Sequence, residues 1–252
     1  MEKLTAIIPV YNEAHHIEAA IQSVLFADEI LIVDSFSTDE TLSIAKKFPV
    51  KILQREYEYS ASQKNWAIPQ ATHNWIFILD ADERVTPQLQ EEIQQILSNP
   101  PQDLVGYWVY RNNHFIDKKI KYSGWQNDKV IRLFKKNFCR YKDQHVHAEI
   151  STNGKLDYLQ HTLQHFSFSS IEQFTAKLTK YAVWQAKDYD ARTGTLTPYH
   201  FIGKPVWRFI KHYVIQQGFR DGVPGLTISY LQAYAVFMRY VNLWIIRNSK
   251  KN

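Results

Sequence analysis

Three carboxylates fall within four positions at Asp80, Asp82 and Glu83, directly after five large apolar residues, Trp75 to Leu79. An uninterrupted apolar run suits a strand covered on both faces, as the parallel strands of α/β sheets are. Acids crowded at its carboxyl end repel one another unless a cation or a basic partner joins them. Hard divalent ions take oxygen ligands of this kind, so a metal ion is the first expectation. A second reading stays open, in which Asp82 and Glu83 open the loop before a helix with Thr86 at its N-cap and Pro87 at its first position.

Two earlier apolar runs also end in polar groups. The first ends in Pro9, Tyr11, Asn12 and Glu13, and the second in Asp34, Ser35 and Asp39. Ligands of open α/β sheets bind outside the carboxyl ends of the strands. Three such ends opening on one edge predict a shared nucleotide pocket. Neither G-x-G-x-x-G nor G-x-x-x-x-G-K-[ST] occurs, so a dinucleotide fold and a P-loop lack support.

The elements that must position these groups are short. LTAIIPV (4–10), EILIVD (29–34), VKIL (50–53), WIFILD (75–80) and GYWVYR (106–111) read as strands, with helical patterns at about 13–26, 38–47 and 59–71 between the first four. Strands alternating with helices predict βαβ units and a mainly parallel sheet. VIRLF (130–134) reads as a later strand that could run antiparallel. Ser37 with Glu40, and Ser169 with Glu172, have the spacing of capping boxes. The 252 residues leave room for one or two domains. From Ser169 onward the character is helical, with breaks at Pro198, Pro205 and Pro224. The expected division is an α/β domain over 1–168 and a helical extension over 169–252.

A single cysteine, Cys139, excludes an internal disulfide framework and a cysteine-based zinc site. The N-terminal MEKLTAIIPVYNE enters a strand without the features of a signal peptide, so a cytoplasmic location is expected. The net charge of +5 is uneven: residues 198–252 carry eight Lys or Arg against Asp221 alone, net +7, leaving −2 for the rest. Positions 230, 231, 234, 237, 238, 241, 244 and 245 form an apolar stripe at helical spacing. A basic, aromatic segment on a near-neutral body points to an anionic membrane surface rather than to nucleic acid. Its longest uncharged stretch, 222–238, falls short of the ~20 apolar residues a spanning helix needs, so a helix lying in the interface fits. A helix packed on the rest of the protein is the alternative.

The segments AIIPVYNE, ILIVDSFSTDET, SQKNWAI and FILDADE, in this order over residues 4–84, resemble glycosyltransferase family 2, inverting nucleotide-sugar enzymes with a GT-A-type fold. RNNHF, SGWQNDKVIRLFKK, VHAEI, LQHFSFSSIEQF and GFRDGVPGL are similar to the lipopolysaccharide-core β-glucosyltransferase branch, over nearly the whole chain. The resemblance implies an α/β, GT-A-type nucleotide-sugar-binding domain with a C-terminal, membrane-associating helical extension. It implies transfer of a hexose, glucose from UDP-glucose, to a glycolipid or lipid-linked saccharide of lipopolysaccharide core or a related cell-surface glycan. The work would be done peripherally, on the inner face of the cytoplasmic membrane. By residue, it implies that Pro9, Tyr11 and Glu13 line the nucleoside, Asp34 accepts from the base, and Lys64 and Asn65 lie near the nucleotide. Asp80 would approach the ribose, and Asp82 would hold Mg²⁺ or Mn²⁺ on the diphosphate.

An inverting transfer also needs a base for the acceptor hydroxyl's proton. The branch reads V-H-E where this chain has Val146, His147, Ala148 and Glu149, so an ungapped match puts Ala148 at the acid's place. Glu149 is the first candidate base, His147 the second and Asp128 the third. Trp125, after Gly124, could stack on an acceptor sugar or belong to the core. Arg132 and Lys135 could reach phosphates, though Arg132 could equally be solvated or form a packing ion pair. His161 and His165 have no metal spacing and read as structural. Two other functions stay open: transfer to polyprenyl phosphate, and a non-catalytic nucleotide-sugar-binding module, the latter favoured only by Ala148.

Overall fold

The computed structural model describes residues 1–116, 118–143, 149–168 and 170–249. The chain divides into two compact units, Met1–Asn112 with Asn127–His165, and Asn113–Gln126 with Phe166–Asn252. The helical unit thus starts three residues before the expected boundary at 168/169 and also draws in the stretch 113–126.

The first unit is built on β1 (Leu4–Val10), α1 (Ile17–Gln22), β2 (Glu29–Asp34), α2 (Thr41–Ala45), β3 (Lys51–Gln54), α3 (Ser60–Ala67), β4 (Trp75–Ile78), β5 (Glu83–Arg84), α4 (Pro87–Ser98) and β6 (Leu104–Phe115). After β6 come β7 (Lys118–Lys119), β8 (Lys129–Lys135), β9 (Arg140–Tyr141), β10 (Ile150–Ser151), β11 (Lys155–Tyr158) and β12 (Leu163–Phe168). The sheet runs β3-β2-β1-β4-β8-β6. Its first four strands are parallel, and β8 lies antiparallel between β4 and β6.

Both faces of β1 are covered. Leu4, Ala6, Ile8 and Val10 pack with Ile17 and Ile21 of α1 and Leu89, Ile93 and Leu97 of α4. Ile7 points the other way, into a cluster with Val33, Ile78, Ala61 and Ile68. The period-two alternation therefore serves two cores, each fully buried Leu or Ile contributing roughly 1.5–3 kcal/mol.

The helices of this unit are shorter than their sequence patterns, because the residues at their starts are engaged at the sheet edge. The Glu13 carbonyl accepts from the N–H groups of His16 and Ile17, so residues 13–16 form a turn before α1. No capping box forms at Ser37: its hydroxyl donates to Asp34 Oδ1 at 2.6 Å, and Asp39 Oδ1 accepts from Thr41 N–H instead. Thr86 does cap α4, accepting from Leu89 N–H at 3.2 Å with Pro87 at the first position.

The second unit holds α5 (Ile171–Asp190), α6 (Lys204–Ile210) and α7 (Gly222–Ser249). Ser170 caps α5, accepting from Gln173 N–H; Ser169 of the expected capping box lies outside the described residues. α6 continues on both sides into π-helical turns, Tyr199–Gly203 and Lys211–Ile215. Asp221 accepts from the N–H groups of Lys121 and Tyr122 and from the Ser123 hydroxyl. A Cβ at Gly225 would stand 1.9 Å from the Gly218 carbonyl oxygen, so glycine is required at that crossing. One face of α7 buries Ile228, Val236, Tyr240 and Leu243. The stripe read from the sequence is the opposite face, with Tyr230, Tyr234, Phe237 and Trp244 exposed. No described helix is long and apolar enough to cross a membrane.

Candidate active site

The parallel pairing brings three polar strand ends to one edge. Val10 pairs with Asp34 and Ile7 with Ile78, so β1, β2 and β4 finish side by side. The loops after β1 and β2 are stitched together. Asn12 adopts a left-handed backbone (φ 53°), which asparagine tolerates well. Its Oδ1 accepts from Thr38 N–H at 2.8 Å, and its own N–H donates to Ser37 Oγ at 2.9 Å. Thr41 Oγ1 accepts from Glu13 N–H at 2.7 Å.

The three acids that follow β4 have separate surroundings. Asp80 Oδ1 accepts from Lys64 Nζ at 2.7 Å, and its Oδ2 accepts from Arg132. Burial would raise the Asp80 pKa, but Arg132 and then Lys64 outweigh it and hold the carboxyl far below the usual carboxylate range. Burial likewise opposes the charge on Lys64 and Arg132, and Asp80 holds both in their charged forms. Glu83 is fully buried and accepts from Arg132 at 2.7 Å and Arg111 at 3.1 Å. Arg111 also binds Asp128 through two nitrogens, at 2.8 and 3.1 Å.

Asp82 has other neighbours, with the Arg84 charge acting on it. His165 Nε2 lies 3.4 Å from its Oδ2, brought there by the pairing of β5 with β12, in which His165 is opposite Glu83. Glu13 has a pKa pushed up to about 7 by burial and then by Asp82, Asp39 and Asp80, with Arg84 opposing. Arg84 is turned to backbone, donating to the carbonyls of Ala81, Glu83 and His16.

Asp34 is fully buried and accepts from the Ser37 N–H and hydroxyl and from Gln54 Nε2 at 3.0 Å. Asn65 clamps the backbone of Tyr141 by two 2.9 Å bonds. Tyr11 is exposed, Pro9 half-buried. Arg132, expected to reach a phosphate, to be solvated or to form a packing ion pair, is 3% exposed and committed to Asp80 and Glu83, the ion-pair alternative. Trp125 stands edge-on to Phe115 and Phe174 in an aromatic cluster of the second unit. Glu149 is exposed, with Lys142 Nζ 3.6 Å away. His147 and Ala148 lie outside the described residues.

The model for glycosyl transferase family 2 matches residues 5–171. The chain belongs to glycosyltransferase family 2. An uncharacterized glycosyltransferase of Rickettsia felis is 32% identical to this family 2 chain over 96% of it and 90% of the relative. The lipopolysaccharide core biosynthesis glycosyltransferase LpsC of Rhizobium meliloti is 27% identical over 94% and 93% of the two chains. A mannosyltransferase of Pyrobaculum calidifontis, solved with GDP-Man and Mn²⁺, superposes with a TM-score of 0.55 at 16% identity, covering 97% of this chain and 88% of that one. That likeness shows the GT-A-type fold.

Among the described residues of this glycosyltransferase, no cluster of three or more His, Cys, Asp or Glu side chains is placed to hold a metal ion. A divalent ion of the Mg²⁺ type asks less of the protein, taking one or two carboxylates and completing its shell with phosphates and waters. Asp82, with its carboxylate 28% exposed beside His165, fits that demand. Asp80, with both oxygens taken by cations, fits a positioning role. From sequence, Arg111 was not singled out, Glu83 was only one of three crowded acids and His165 read as structural; their partners come from strand pairing.

Proposed function

We propose that this protein is an inverting, metal-dependent hexosyltransferase that moves glucose from UDP-glucose to a saccharide acceptor of lipopolysaccharide core or a related cell-surface glycan, at the inner face of the cytoplasmic membrane. The observation that carries the reading is the unequal treatment of Asp80 and Asp82 at the shared strand edge. One is ion-paired with Lys64 and Arg132, while the other lies beside His165 with the Arg84 charge acting on it. The similarity to LpsC over 94% of the chain supports the acceptor class.

Each residue then has a task. Pro9, Tyr11 and Glu13 line the nucleoside, Asp34 with its Ser37 and Gln54 partners faces the base, and Asn65 holds the Tyr141 backbone beside Lys64. Asp80 meets the ribose, kept rigid and anionic by its two cations. Asp82 would hold Mg²⁺ or Mn²⁺, which supplies charge neutralisation for the departing nucleoside diphosphate. Glu149 takes the acceptor hydroxyl's proton as that oxygen attacks the anomeric carbon. Its exposed carboxylate is open to an acceptor, whereas the Asp128 carboxylate is bound by Arg111 at two points.

Hydrolysis of UDP-glucose without acceptor tests the reading. Slow, Mn²⁺-dependent release of UDP is expected, and a failure to cleave any nucleotide sugar with or without acceptor would leave only a binding module.

A further inference from the structure

The acid expected to accept from the base has no surface to offer it. Asp34 is fully buried, and both of its oxygens are in use: Oδ1 accepts from the Ser37 N–H at 3.1 Å and the Ser37 hydroxyl at 2.6 Å, and Oδ2 accepts from Gln54 Nε2 at 3.0 Å. The Arg55 N–H donates to the Asp34 carbonyl at 3.0 Å, so the end of β3 is also tied to the end of β2 through the backbone. A base N–H could reach the Asp34 carboxylate only after Gln54 or Ser37 had let go.

Gln54 is the neighbour that remains open. It ends β3 opposite Asp34 in the parallel register, so the two side chains leave the same face of the sheet, and Gln54 is exposed where Asp34 is not. A carboxylate only accepts, so the atom that Gln54 turns toward it is the amide nitrogen. The orientation of the amide is thereby fixed, and Oε1 and the second N–H of Nε2 have no partner among the described residues. Flat apolar surface lies at the same edge, where Tyr11 and Phe36 are exposed just beyond the ends of β1 and β2. Phe36 has φ 61°, a left-handed backbone that a bulky residue rarely adopts, and strain of this kind gathers at ligand sites. Exposed aromatic rings are what nucleic bases stack on.

We infer that Gln54, rather than Asp34, reads the base, and that Asp34 is a positioning residue that sets which end of the Gln54 amide faces outward. The inference rests on the reading of this edge as a nucleotide site and adds the group that selects the base. Uracil presents its N3–H between two carbonyl oxygens. With the amide held as it is, Oε1 accepts from N3–H while the remaining N–H of Nε2 donates to O4. Cytosine in the same pose presents an unprotonated N3 to Oε1 and an amino group to the amide N–H, acceptor against acceptor and donor against donor. Turning the amide over would cure both mismatches but would aim Oε1 at the Asp34 carboxylate. The buried acid thus makes this a uridine site rather than a general pyrimidine site.

Equilibrium binding of UDP, CDP and 3-methyluridine diphosphate, each with Mn²⁺, to the wild type and to Gln54→Met tests this. The wild type is expected to prefer UDP over CDP by at least about tenfold, the scale of a lost two-point match to a base edge. It should prefer UDP over 3-methyluridine diphosphate, which lacks the N3 proton, by a similar factor. Gln54→Met keeps the length of the side chain and loses the amide, so its UDP affinity should fall to within about twofold of its CDP affinity, with CDP binding unchanged from the wild type. A preference for UDP over CDP that survives in Gln54→Met would return the contact to Asp34 or to another group and overturn the inference. So would equal binding of UDP and 3-methyluridine diphosphate by the wild type, a result that needs no variant to fold. Binding of neither UDP nor CDP by the wild type would sink the nucleotide-sugar reading and the base contact with it, whereas equal binding of both would sink the contact alone.

Discussion

Arg132 Nη2 donates to Glu83 Oε1 at 2.7 Å and also to Asp80, so one guanidinium nitrogen joins a fully buried acid to one at the strand edge. Removing a shared buried cation leaves its partners uncompensated, at roughly 3–5 kcal/mol. Arg132→Met should therefore lower Tm by on the order of 10 °C for a chain of this size. Glu83→Gln in the Arg132→Met background should cost less than in the wild type, because the two residues are coupled. Scanning calorimetry of the two single variants and the double variant checks this; additive losses would mean that the ion pair does not hold the edge.

Glu13 gives the protein a pH dependence near neutrality. Its carboxyl is raised from 4.5 to about 7 by burial and by Asp82, Asp39 and Asp80. Between those values the unfolded chain has lost a proton that the native chain retains, so stability from this group falls as pH rises through the window and is level above it. Glu13→Gln should flatten the fall and be more stable than the wild type at pH about 7.5. Thermal unfolding of both proteins across the window measures the difference, and parallel curves would contradict the assignment.

The strands were legible because apolar runs bounded by polar breaks follow from burial alone, and so was the edge on which β1, β2 and β4 end. The division of labour among Asp80, Asp82 and Glu83 was not. Arg111 and Arg132, which determine it, lie 28 and 49 residues from Glu83, and His165 reaches Asp82 only through the register of β12 against β5. In sequence, Arg132 in an alternating strand looks the same whether it faces water or a buried acid. Helix lengths were overestimated where Glu13, Ser37 and Asp39 bond to the neighbouring loop rather than to a helix end. The stripe on α7 was correctly spaced, yet its opposite face is apolar too, so periodicity alone did not show which side is exposed.

For the base, Glu149→Gln should leave nucleotide affinity within about twofold and reduce transfer by about 10²–10⁴-fold, the usual contribution of a positioned base. Asp128→Asn should instead loosen Arg111, its two-point partner, and lower Tm as well as rate. Single-turnover transfer beside equilibrium UDP binding separates the two effects. Full activity in Glu149→Gln would move the role elsewhere.

His165→Ala removes one neighbour of Asp82 without touching Lys64, Arg132 or Asp80. The Mn²⁺ concentration needed for half-maximal UDP stabilisation should rise by about tenfold, in the range found when a metal site loses a supporting group. Unchanged Mn²⁺ demand would show that His165 serves the fold alone.

In the proposed reaction Asp82 is the carboxylate that joins a divalent ion to a nucleoside diphosphate. Thermal unfolding of the wild type and Asp82→Asn with UDP or GDP, each with and without Mn²⁺, measures that link. A ligand at 100 times its dissociation constant stabilises by about 2.7 kcal/mol. The prediction is that UDP stabilises the wild type only when Mn²⁺ is present and that Asp82→Asn, folded and of near-normal Tm, loses the Mn²⁺-dependent part. Equal stabilisation of the two proteins by UDP and Mn²⁺ would contradict it.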